Sequence, residues 1–402
     1  MEIKTIKLDR SKTFDPPPPR SSGRGLSVCI SYVLKLKIGY NTGVKKNSRF
    51  FPPPAYLRFP TCGLDISDRS VKFAEIVKYR KHLRLGRYGE EELPAGVVVN
   101  GVIQDPSVLL ATLKRIKERA GYDFAHVALP EEKSYVVEMV LPASAGRDLR
   151  GAIELHLEEQ VPLEIRATTF DYEIVHSPEE IAGGSYIVVV SATETSLASI
   201  YFDVCREAGL LPVTFELESQ AIARALVKEG EETKMIVDVG REQSNVSVVC
   251  RNQVRLSTSI GMGGNTLSEA IETDLGVDAV TAVRLKEEDG LRRGQDRSPF
   301  YSIVRVATIL RDEIYQRMSY WNSGRERSNI KDAVKRIILC GGNASIPGFT
   351  EYLTSGSNIP VSIGNPWSNM LSFDEEIPEI TSRESLKYCT AIGLALRSVH
   401  YD

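Results

Sequence analysis

Residues 62–79 read CGLDISDRSVKFAEIVKY, two apolar runs separated by a short polar segment. Residues 62–66 and residues 71–79 have the length and composition of β-strands, and the four polar residues between them suit a tight turn. The segment therefore predicts a β-hairpin that carries Asp65 near the end of its first strand.

Residues 235–250 read MIVDVGREQSNVSVVC and repeat this pattern. Residues 235–239 predict a buried strand that contains Asp238, and residues 246–250 predict its hairpin partner. Gly240 begins the turn, where the lack of a Cβ lets backbone approach a phosphate, and Ser244 and Asn245 follow. Two units that each open with an apolar strand, an aspartate and a hairpin indicate an internal repeat.

The two aspartates suit a site for Mg²⁺ and phosphate. Backbone N–H groups in such turns can face phosphate oxygens, and two carboxylates can hold a Mg²⁺ that keeps several of its waters. Either Asp65 or Asp238 alone fits equally well an aspartate that merely ends a strand at a turn. Their occurrence together, each heading one of two similar units, favours the shared site.

Two glycine-rich segments add to this pattern. Residues 337–344, IILCGGNA, predict a buried strand that ends at Gly341 and Gly342, whose backbone offers a flat surface for a purine. A simple strand-to-helix turn would also explain these glycines. Residues 261–266, GMGGNT, precede a predicted helix whose N-terminus suits an anion, although Thr266 would also serve as an ordinary cap.

Composition excludes several classes of protein. The chain has 402 residues, of which 42% are hydrophobic and 26% charged, and its formal net charge of -3 predicts no nucleic-acid partner. The six cysteines form no C-x-x-C pair and the five histidines are scattered, which argues against disulfides and zinc. No segment reaches the ~18 apolar residues that span a bilayer. We therefore expect a cytoplasmic protein that meets the membrane only through a partner.

Alternating strands and helices predict an α/β fold. Residues 1–60 are rich in proline and basic residues and predict a disordered leader. We expect residues 61–133, 192–229 and 384–402 to form a first lobe, residues 134–191 an inserted subdomain, and residues 230–383 a second lobe. The predicted helices span residues 106–120, 147–160, 193–208, 218–228, 267–273, 277–287, 302–321 and 385–398. Further strands are predicted at residues 126–130, 135–141, 168–175, 186–191, 213–217, 254–260 and 336–340.

Five ordered motifs resemble those of the actin-like ATPases. They are the first phosphate motif from Gly63 to Lys72, the second phosphate motif at residues 237–247, the adenosine motif at residues 339–349, and two connecting helices at residues 218–223 and 390–395. Within that superfamily, the stretch GGNTL at residues 263–267 and the segments around Lys286 and Glu313 are similar to the PilM family of type IV pilus assembly proteins. The insertion at residues 135–191 lies where PilM and FtsA carry an extra subdomain.

This resemblance implies a two-lobed actin/Hsp70-like (ribonuclease-H-like) α/β fold with an inserted small α/β subdomain. It implies ATP and Mg²⁺ in the cleft, with Asp65 and Asp238 holding the metal through water. The nucleotide-binding residues that it implies are Asp65, Ser67, Asp238, Gly240, Ser244, Asn245, Gly263, Gly264, Lys286, Glu313 near the ribose, and Gly341, Gly342 and Asn343 at the adenine. Glu218 occupies the position that orients water, a role that suits a carboxylate.

Three positions depart from the family pattern. Ser67 replaces a usual glycine, Val283 replaces a usual glutamate, and Gln316 replaces a usual arginine. Because phosphoryl transfer depends on accurate positioning, these changes predict at most weak ATPase activity.

The resemblance implies an ATP-binding assembly scaffold at the inner membrane, which docks the N-terminal cytoplasmic tail of a PilN-like membrane protein and can self-associate. Alternatives stay open. An FtsA-like cell-division filament would need a C-terminal membrane anchor, and the chain stops at Asp402. A sugar kinase would need a general-base aspartate and a sugar pocket, for which no motif is visible. A degenerate secretion-system relative without ATP would not need Asp65 and Asp238.

Overall fold

The computed structural model describes residues 60–79, 82–180, 184–293, 299–327, 332–357, 359–370 and 378–399. The predicted leader, residues 1–60, lies outside these residues except for Pro60. In chain order the strands are β1 (Thr61–Ile66), β2 (Ser70–Tyr79), β3 (His82–Glu92), β4 (Val98–Val99), β5 (Val102–Ile103), β6 (Phe124–Leu129), β7 (Ser134–Pro142), β8 (Thr168–His176), β9 (Ser185–Glu194), β10 (Leu211–Leu217), β11 (Lys234–Val239), β12 (Ser244–Cys250), β13 (Gln253–Ile260), β14 (Arg336–Cys340) and β15 (Val361–Ile363).

The helices cover the sheets and connect them. They are α1 (Pro106–Ala120), α2 (Leu149–Gln160), α3 (Thr195–Glu207), α4 (Glu218–Leu226), α5 (Gly264–Leu275), α6 (Ala279–Glu288), α7 (Phe300–Arg327), α8 (Phe349–Ser355), α9 (Ser382–Ser385) and α10 (Cys389–Leu396).

Two five-stranded sheets share one topology. The first sheet has the order β3–β2–β1–β6–β10 and the second has the order β13–β12–β11–β14–β15. In each, the central strand pairs antiparallel with the next strand along the chain and parallel with a later one. The internal repeat that the sequence predicts is therefore confirmed, and each central strand carries one of the predicted aspartates one residue before its end, next to a hairpin turn.

The predicted connecting helices α4 and α10 pack closely against each other and against the first sheet. A Cβ on Gly393 would lie 1.8 Å from the carbonyl oxygen of Ala221, so α10 approaches the backbone of α4. A Cβ on Gly63 would lie 2.0 Å from the carbonyl oxygen of Ala391, so α10 also lies against β1. These contacts require glycine, because any side chain would force the elements apart.

The small sheet has the strand order β7–β9–β8 and packs against α2. Met139, Ile153, Phe170 and Val188 are buried in its own core, which is separate from the cores of the two larger sheets. This arrangement matches the inserted α/β segment that the sequence predicts, although the lobe boundaries themselves stay a prediction.

Most predicted elements are present, with shifted ends. Helix α1 starts after Asp105, whose side chain accepts N–H bonds from Ser107 and Val108, and ends at Gly121 in the left-handed conformation. Helix α3 begins later than predicted because strand β9 continues through Glu194. The single helix predicted at residues 385–398 is divided into α9, a short 3₁₀ turn and α10.

The sequence failed to predict strands β3, β4, β5 and β15. Strand β3 is an edge strand whose two glycines allow close packing, since a Cβ on Gly86 would meet the Glu75 side chain and one on Gly89 would meet Arg119. Charged residues and glycines interrupt its apolar pattern, and the other three strands have only two or three residues each.

Candidate functional site

A cavity of about 630 Å³ lies between the first and second sheets. Its lining includes the turns of the β1–β2 and β11–β12 hairpins, the start of α4, the loop after β14 and the start of α10. Asp65 and Asp238 both line it, so the two hairpins bring their aspartates to one crevice. Its volume is typical of a site for a small molecule.

The first hairpin brings a carboxylate and a cation to the cavity. Asp65 and Lys72 are direct partners in the β1–β2 register, which places their side chains on the same face of the sheet. The Lys72 Nζ lies 3.8 Å from the Asp65 carboxylate and 3.9 Å from that of Glu90. Burial raises the pKa of Asp65, and the charge of Lys72 opposes this rise.

The turn of this hairpin is held by its own polar side chains. The Ser67 hydroxyl donates to the Ser70 carbonyl at 2.9 Å, and the Ser67 N–H donates to the same oxygen at 3.0 Å. The Asp68 carboxylate accepts the N–H groups of Asn100 and Gly101 at 2.8 and 3.0 Å. Ser67 lines the cavity, as predicted, but its side chain is directed to the closure of the turn.

The second hairpin presents Asp238 beside an amide instead of a cation. Asp238 pairs with Asn245 in the β11–β12 register, and both line the cavity. Burial and then the charge of Asp65 raise the pKa of Asp238 to about 6. Gly341 has a φ of 86°, and a Cβ there would lie 2.2 Å from an Asp238 carboxylate oxygen. Glycine at this position therefore allows the loop after β14 to pack against the aspartate.

Ser244 is fully buried and lies behind the second hairpin. Its hydroxyl donates to the Met262 carbonyl at 2.7 Å, which connects the start of β12 to the segment before α5. Ser244 is not among the residues that line the cavity. The structure thus gives this predicted phosphate contact a packing role in the support of the turn.

Gly263 and Gly264 also lie behind the cavity wall. At the start of α5, the N–H of Gly264 donates to the Gly240 carbonyl at 3.0 Å, and the next N–H, that of Asn265, donates to the Arg241 carbonyl at 2.8 Å. These bonds correct the prediction of an anion site at this helix N-terminus, because hairpin carbonyls already accept the first donors. Gly263 and Gly264 allow close packing, where a Cβ would meet hairpin backbone and the Asn343 side chain respectively.

Lys286, Gly342 and Asn343 line the cavity as the sequence predicts. The Lys286 Nζ donates to the Gly264 carbonyl at 3.0 Å, and burial lowers the pKa of Lys286 to about 8. The Asn343 side chain donates to the Gly240 carbonyl at 2.8 Å and so connects the loop after β14 to the second hairpin. A Cβ on Gly342 would have its nearest neighbour 3.9 Å away, which leaves an open backbone surface.

Glu218, the first residue of α4, lies between the two hairpins. One carboxylate oxygen accepts a hydrogen bond from the Asn245 side chain at 3.2 Å. The start of α4 is fixed by buried Glu131, which accepts both the N–H and the hydroxyl of Ser219, at 3.1 and 2.9 Å. Burial, and then the charges of Glu132 and Asp65, raise the pKa of Glu218 well above its usual range.

Glu313 does not lie at the cavity. It is on α7, where its carboxylate forms an ion pair with Arg317 one turn later at 2.5 Å. It is not among the cavity-lining residues. The family resemblance predicted Glu313 as a site residue, but the structure places it on α7, away from the hairpins.

The lining of the cavity is acidic. Nine carboxylate side chains and five basic side chains contribute to it. Among the described residues no group of three or more His, Cys, Asp or Glu side chains is placed to hold a metal ion directly. Buried carboxylates with raised pKa values nevertheless favour a cation, and Mg²⁺ commonly keeps its water shell. The residues present therefore fit a hydrated Mg²⁺ beside Asp65 and Asp238.

Ten of the fourteen charged residues that line the cavity were not predicted as site residues, among them Lys72, Glu90, Glu132 and Lys387. Lys72 lies opposite Asp65, and Lys387 lies 2.6 Å from Glu90, so a chain of alternating charges runs along one wall. Burial works against the ionisation of Glu90, but Lys387 and Lys72 hold its pKa below the usual value. Burial raises the pKa of Glu132, at another wall, to about 7. Hairpin register could have revealed Lys72, whereas Glu90, Glu132 and Lys387 come from strands and turns remote in sequence.

Comparison with known proteins shows which family this chain belongs to. The profile of a family described as type IV pilus assembly protein PilM matches residues 63–399. The chain belongs to this PilM family.

The PilM family assignment accords with the fold of solved structures. A PilM-PilN type IV pilus biogenesis complex is similar with a TM-score of 0.72 and 19% identity, over 85% of this chain and 99% of that chain. MreB 5 of Spiroplasma citri bound to AMPPNP is similar with a TM-score of 0.50 and 13% identity, over 85% of this chain and 97% of that chain. The chain therefore has the actin-like fold. No helix within the described residues has both the length and the apolar composition to cross a membrane.

Proposed function

We propose that this PilM-family protein binds Mg-ATP in the cavity between its two sheets. The observation that carries the proposal is the convergence of Asp65 and Asp238 on one crevice, where burial and then the charge of Asp65 raise the pKa of Asp238. Two buried carboxylates that disfavour each other's ionisation gain stability when a cation binds between them. The similar structure of MreB 5 has AMPPNP bound, which supports nucleotide binding by this fold.

Each wall of the cavity has a separate part in this proposal. Asp65 and Asp238 hold the hydrated Mg²⁺, which would neutralise phosphate charge. Gly240 and Asn245 face phosphate from the second hairpin, and Lys286 supplies a buried cation. Gly341, Gly342 and Asn343 border the adenine, because the backbone at Gly342 is open on the cavity side. Ser67 supports the first turn, while Ser244, Gly263 and Gly264 support the second from behind.

We assign to Glu218 the role of orienting a water molecule beside the phosphates. Glu218 is held by Asn245, and its helix is fixed by Glu131. A carboxylate at that place can accept a proton or a hydrogen bond from water beside a phosphate. Its high pKa disfavours the ionised form, which agrees with at most slow hydrolysis.

We further propose that the protein is a cytoplasmic scaffold of type IV pilus assembly that binds the N-terminal tail of a PilN-like inner-membrane protein. Family membership supports the assembly role, and the similar solved complex contains both PilM and PilN. A short tail bound in a groove is a common recognition mode. Membrane contact then comes through the partner.

Titration with a fluorescent ATP analogue, with and without Mg²⁺, tests the nucleotide proposal. We expect saturable binding that weakens at least about 10-fold without Mg²⁺, because the acidic lining repels free triphosphate. Saturable binding of equal strength without Mg²⁺ would contradict the proposed metal role. An absence of binding in both conditions would exclude the nucleotide itself. The partner proposal is tested separately, by titration with a synthetic peptide of the cytoplasmic tail of the PilN-like protein from the same organism.

A further inference from the structure

The β12–β13 hairpin reaches from the cavity to the small sheet. At the cavity end, Asn245 of β12 donates to Glu218 at 3.2 Å and pairs with Ser259 of β13. This end therefore contacts the first residue of α4, the helix that follows β10 of the first sheet. A change in the width of the cavity acts directly on this contact.

The other end of the same hairpin contacts the small sheet. Arg251 and Asn252 form its turn with φ values of 53° and 66°, which is the left-handed pair of a tight two-residue hairpin. The Arg251 guanidinium lies 2.8 Å from Nε2 of His176, at the end of β8. The turn is thus short and bonded to a strand of the small sheet.

A buried ion pair forms the second attachment. Arg255 of β13 lies at a β-bulge, where the register with β12 shifts, and only 2% of its surface is exposed. Its guanidinium lies 3.1 Å from the Glu138 carboxylate of β7. Bulges redirect side chains, and here the bulge directs a cation into the small sheet. A buried ion pair adds little net stability, since desolvation offsets attraction.

We propose that the β12–β13 hairpin mechanically couples the nucleotide cavity to the small sheet. The hairpin is an antiparallel pair at one edge of a five-stranded sheet and is continuous through the bulge at Arg255, so its two ends move as one element. Closure of the cavity on Mg-nucleotide moves the Asn245 end, and the Arg251 and Arg255 contacts carry that movement to β8 and β7. The inference rests on the proposed nucleotide function, and it names the small sheet as the region that responds.

Amide hydrogen exchange tests this coupling in the full-length protein. The probe is AMPPNP with Mg²⁺, added to the wild type, to a double variant Arg255→Met with Glu138→Gln, and to a control Arg305→Met. The double variant replaces the buried charges together, which avoids a lone buried charge. The control removes an exposed ion pair of Arg305 with Asp274 that stays within the helices of the second sheet. Calorimetric titration of AMPPNP is carried out on the same samples.

We expect the nucleotide to slow exchange in β7 and β8 at least about 3-fold in the wild type and the control, and less than about 1.5-fold in the double variant. Calorimetry should show binding by all three proteins. Binding without altered exchange in β7 and β8 of the wild type would overturn the coupling and leave the nucleotide function intact. Equal protection in the double variant would overturn the role of the Arg255 contact. A wild type that binds no nucleotide would instead refute the proposed function.

Discussion

The two hairpins at the cavity have the same topology and different chemistry. In the first, Asp65 lies opposite Lys72, whereas in the second Asp238 lies opposite Asn245. One turn is closed by a serine side chain, and the other contains Gly240, where a Cβ would lie 2.8 Å from the Gln243 carbonyl. The repeat thus conserves the backbone frame while each copy supplies a different part of the site.

Because of this difference, the charges of the two aspartates are compensated to different extents. Lys72 opposes the effect of burial on Asp65, so the charge of that aspartate is partly balanced within its own hairpin. Asp238 has a neutral cross-strand partner, and burial and then the charge of Asp65, only partly opposed by Lys72, raise its pKa to about 6. A bound cation therefore relieves more unfavourable energy at Asp238 than at Asp65. The second hairpin is expected to dominate metal binding.

The largest expected effect comes from removing one charge in each hairpin. Asp238→Asn should weaken Mg-ATP binding about 1000-fold, or about 4 kcal/mol, because it removes the less compensated carboxylate. Asp65→Asn should weaken it only about 10-fold, because Lys72 then becomes available to phosphate. Titration with a fluorescent ATP analogue measures both affinities.

A matched control distinguishes these losses from damage to the fold. Glu207→Gln changes an exposed carboxylate at the end of α3 and should leave affinity unchanged. Asp238→Asn should melt no earlier than the wild type, since it removes a buried charge, whereas Asp65→Asn leaves buried Lys72 with Glu90 alone and should melt at a lower temperature. Equal losses in Asp65→Asn and Asp238→Asn would show that the two hairpins contribute equally to metal binding.

The strands behind the hairpins also differ, which predicts a pH effect on stability. His126 of β6 lies beside β1, bonded at 2.8 Å to the Thr214 hydroxyl, and burial lowers its pKa to about 4. The equivalent strand β14 has Ile338 at the matching register position. Because the unfolded His126 binds a proton below about pH 6.5 and the folded one does not, stability falls as pH decreases from 6.5 towards 4.

His126→Gln should remove this contribution. Between pH 7.5 and pH 5, His126 should lower the free energy of unfolding of the wild type by about 2 kcal/mol. The variant should not show this decrease. Denaturant unfolding at the two pH values measures the difference. The same slope in both proteins would assign the acid sensitivity to other groups, such as the buried carboxylates.

A smaller effect is expected at Glu218, which both halves of the molecule hold in place. Glu218→Gln retains the hydrogen-bonding shape but removes the base, so any ATP hydrolysis by the wild type should slow at least about 10-fold, or 1.4 kcal/mol. Affinity for Mg-ATP should change little, because we assign Glu218 to water and not to a phosphate contact. Phosphate release under saturating ATP measures the rate, and an unchanged rate would remove Glu218 from this role.

The sequence predicted the frame of the site because that frame is local. A hairpin, an aspartate at its first strand and a glycine in its turn are adjacent in sequence, so the pattern at Asp65 and Asp238 indicates the backbone directly. The same holds for the helix from Asp105 to Gly121, whose ends are set by neighbouring residues.

The remainder of the site depends on contacts that sequence spacing does not show. Glu131 caps a helix 88 residues later, and Lys387 pairs with Glu90 across 297 residues. Glu313 fits a family pattern but lies on a helix that faces elsewhere. Ser244 and Gly264 fit phosphate motifs, yet tertiary packing gives them carbonyl and side-chain neighbours. Local pattern therefore located the turns, and only the fold showed which side chains reach the cavity.

The smallest expected effect tests whether the serine in the first turn weakens nucleotide binding. Because the Ser67 hydroxyl and N–H both donate to Ser70, the side chain folds back on the turn and leaves the aspartates accessible. Ser67→Gly should therefore change Mg-ATP affinity less than about 2-fold and lower stability by about 0.5–1 kcal/mol through one lost hydrogen bond. Titration and thermal melting measure the two quantities. A gain in affinity of about 10-fold or more would mean that the hydroxyl obstructs phosphate, and the first hairpin would then be a weakened copy of the second rather than a different part of one site.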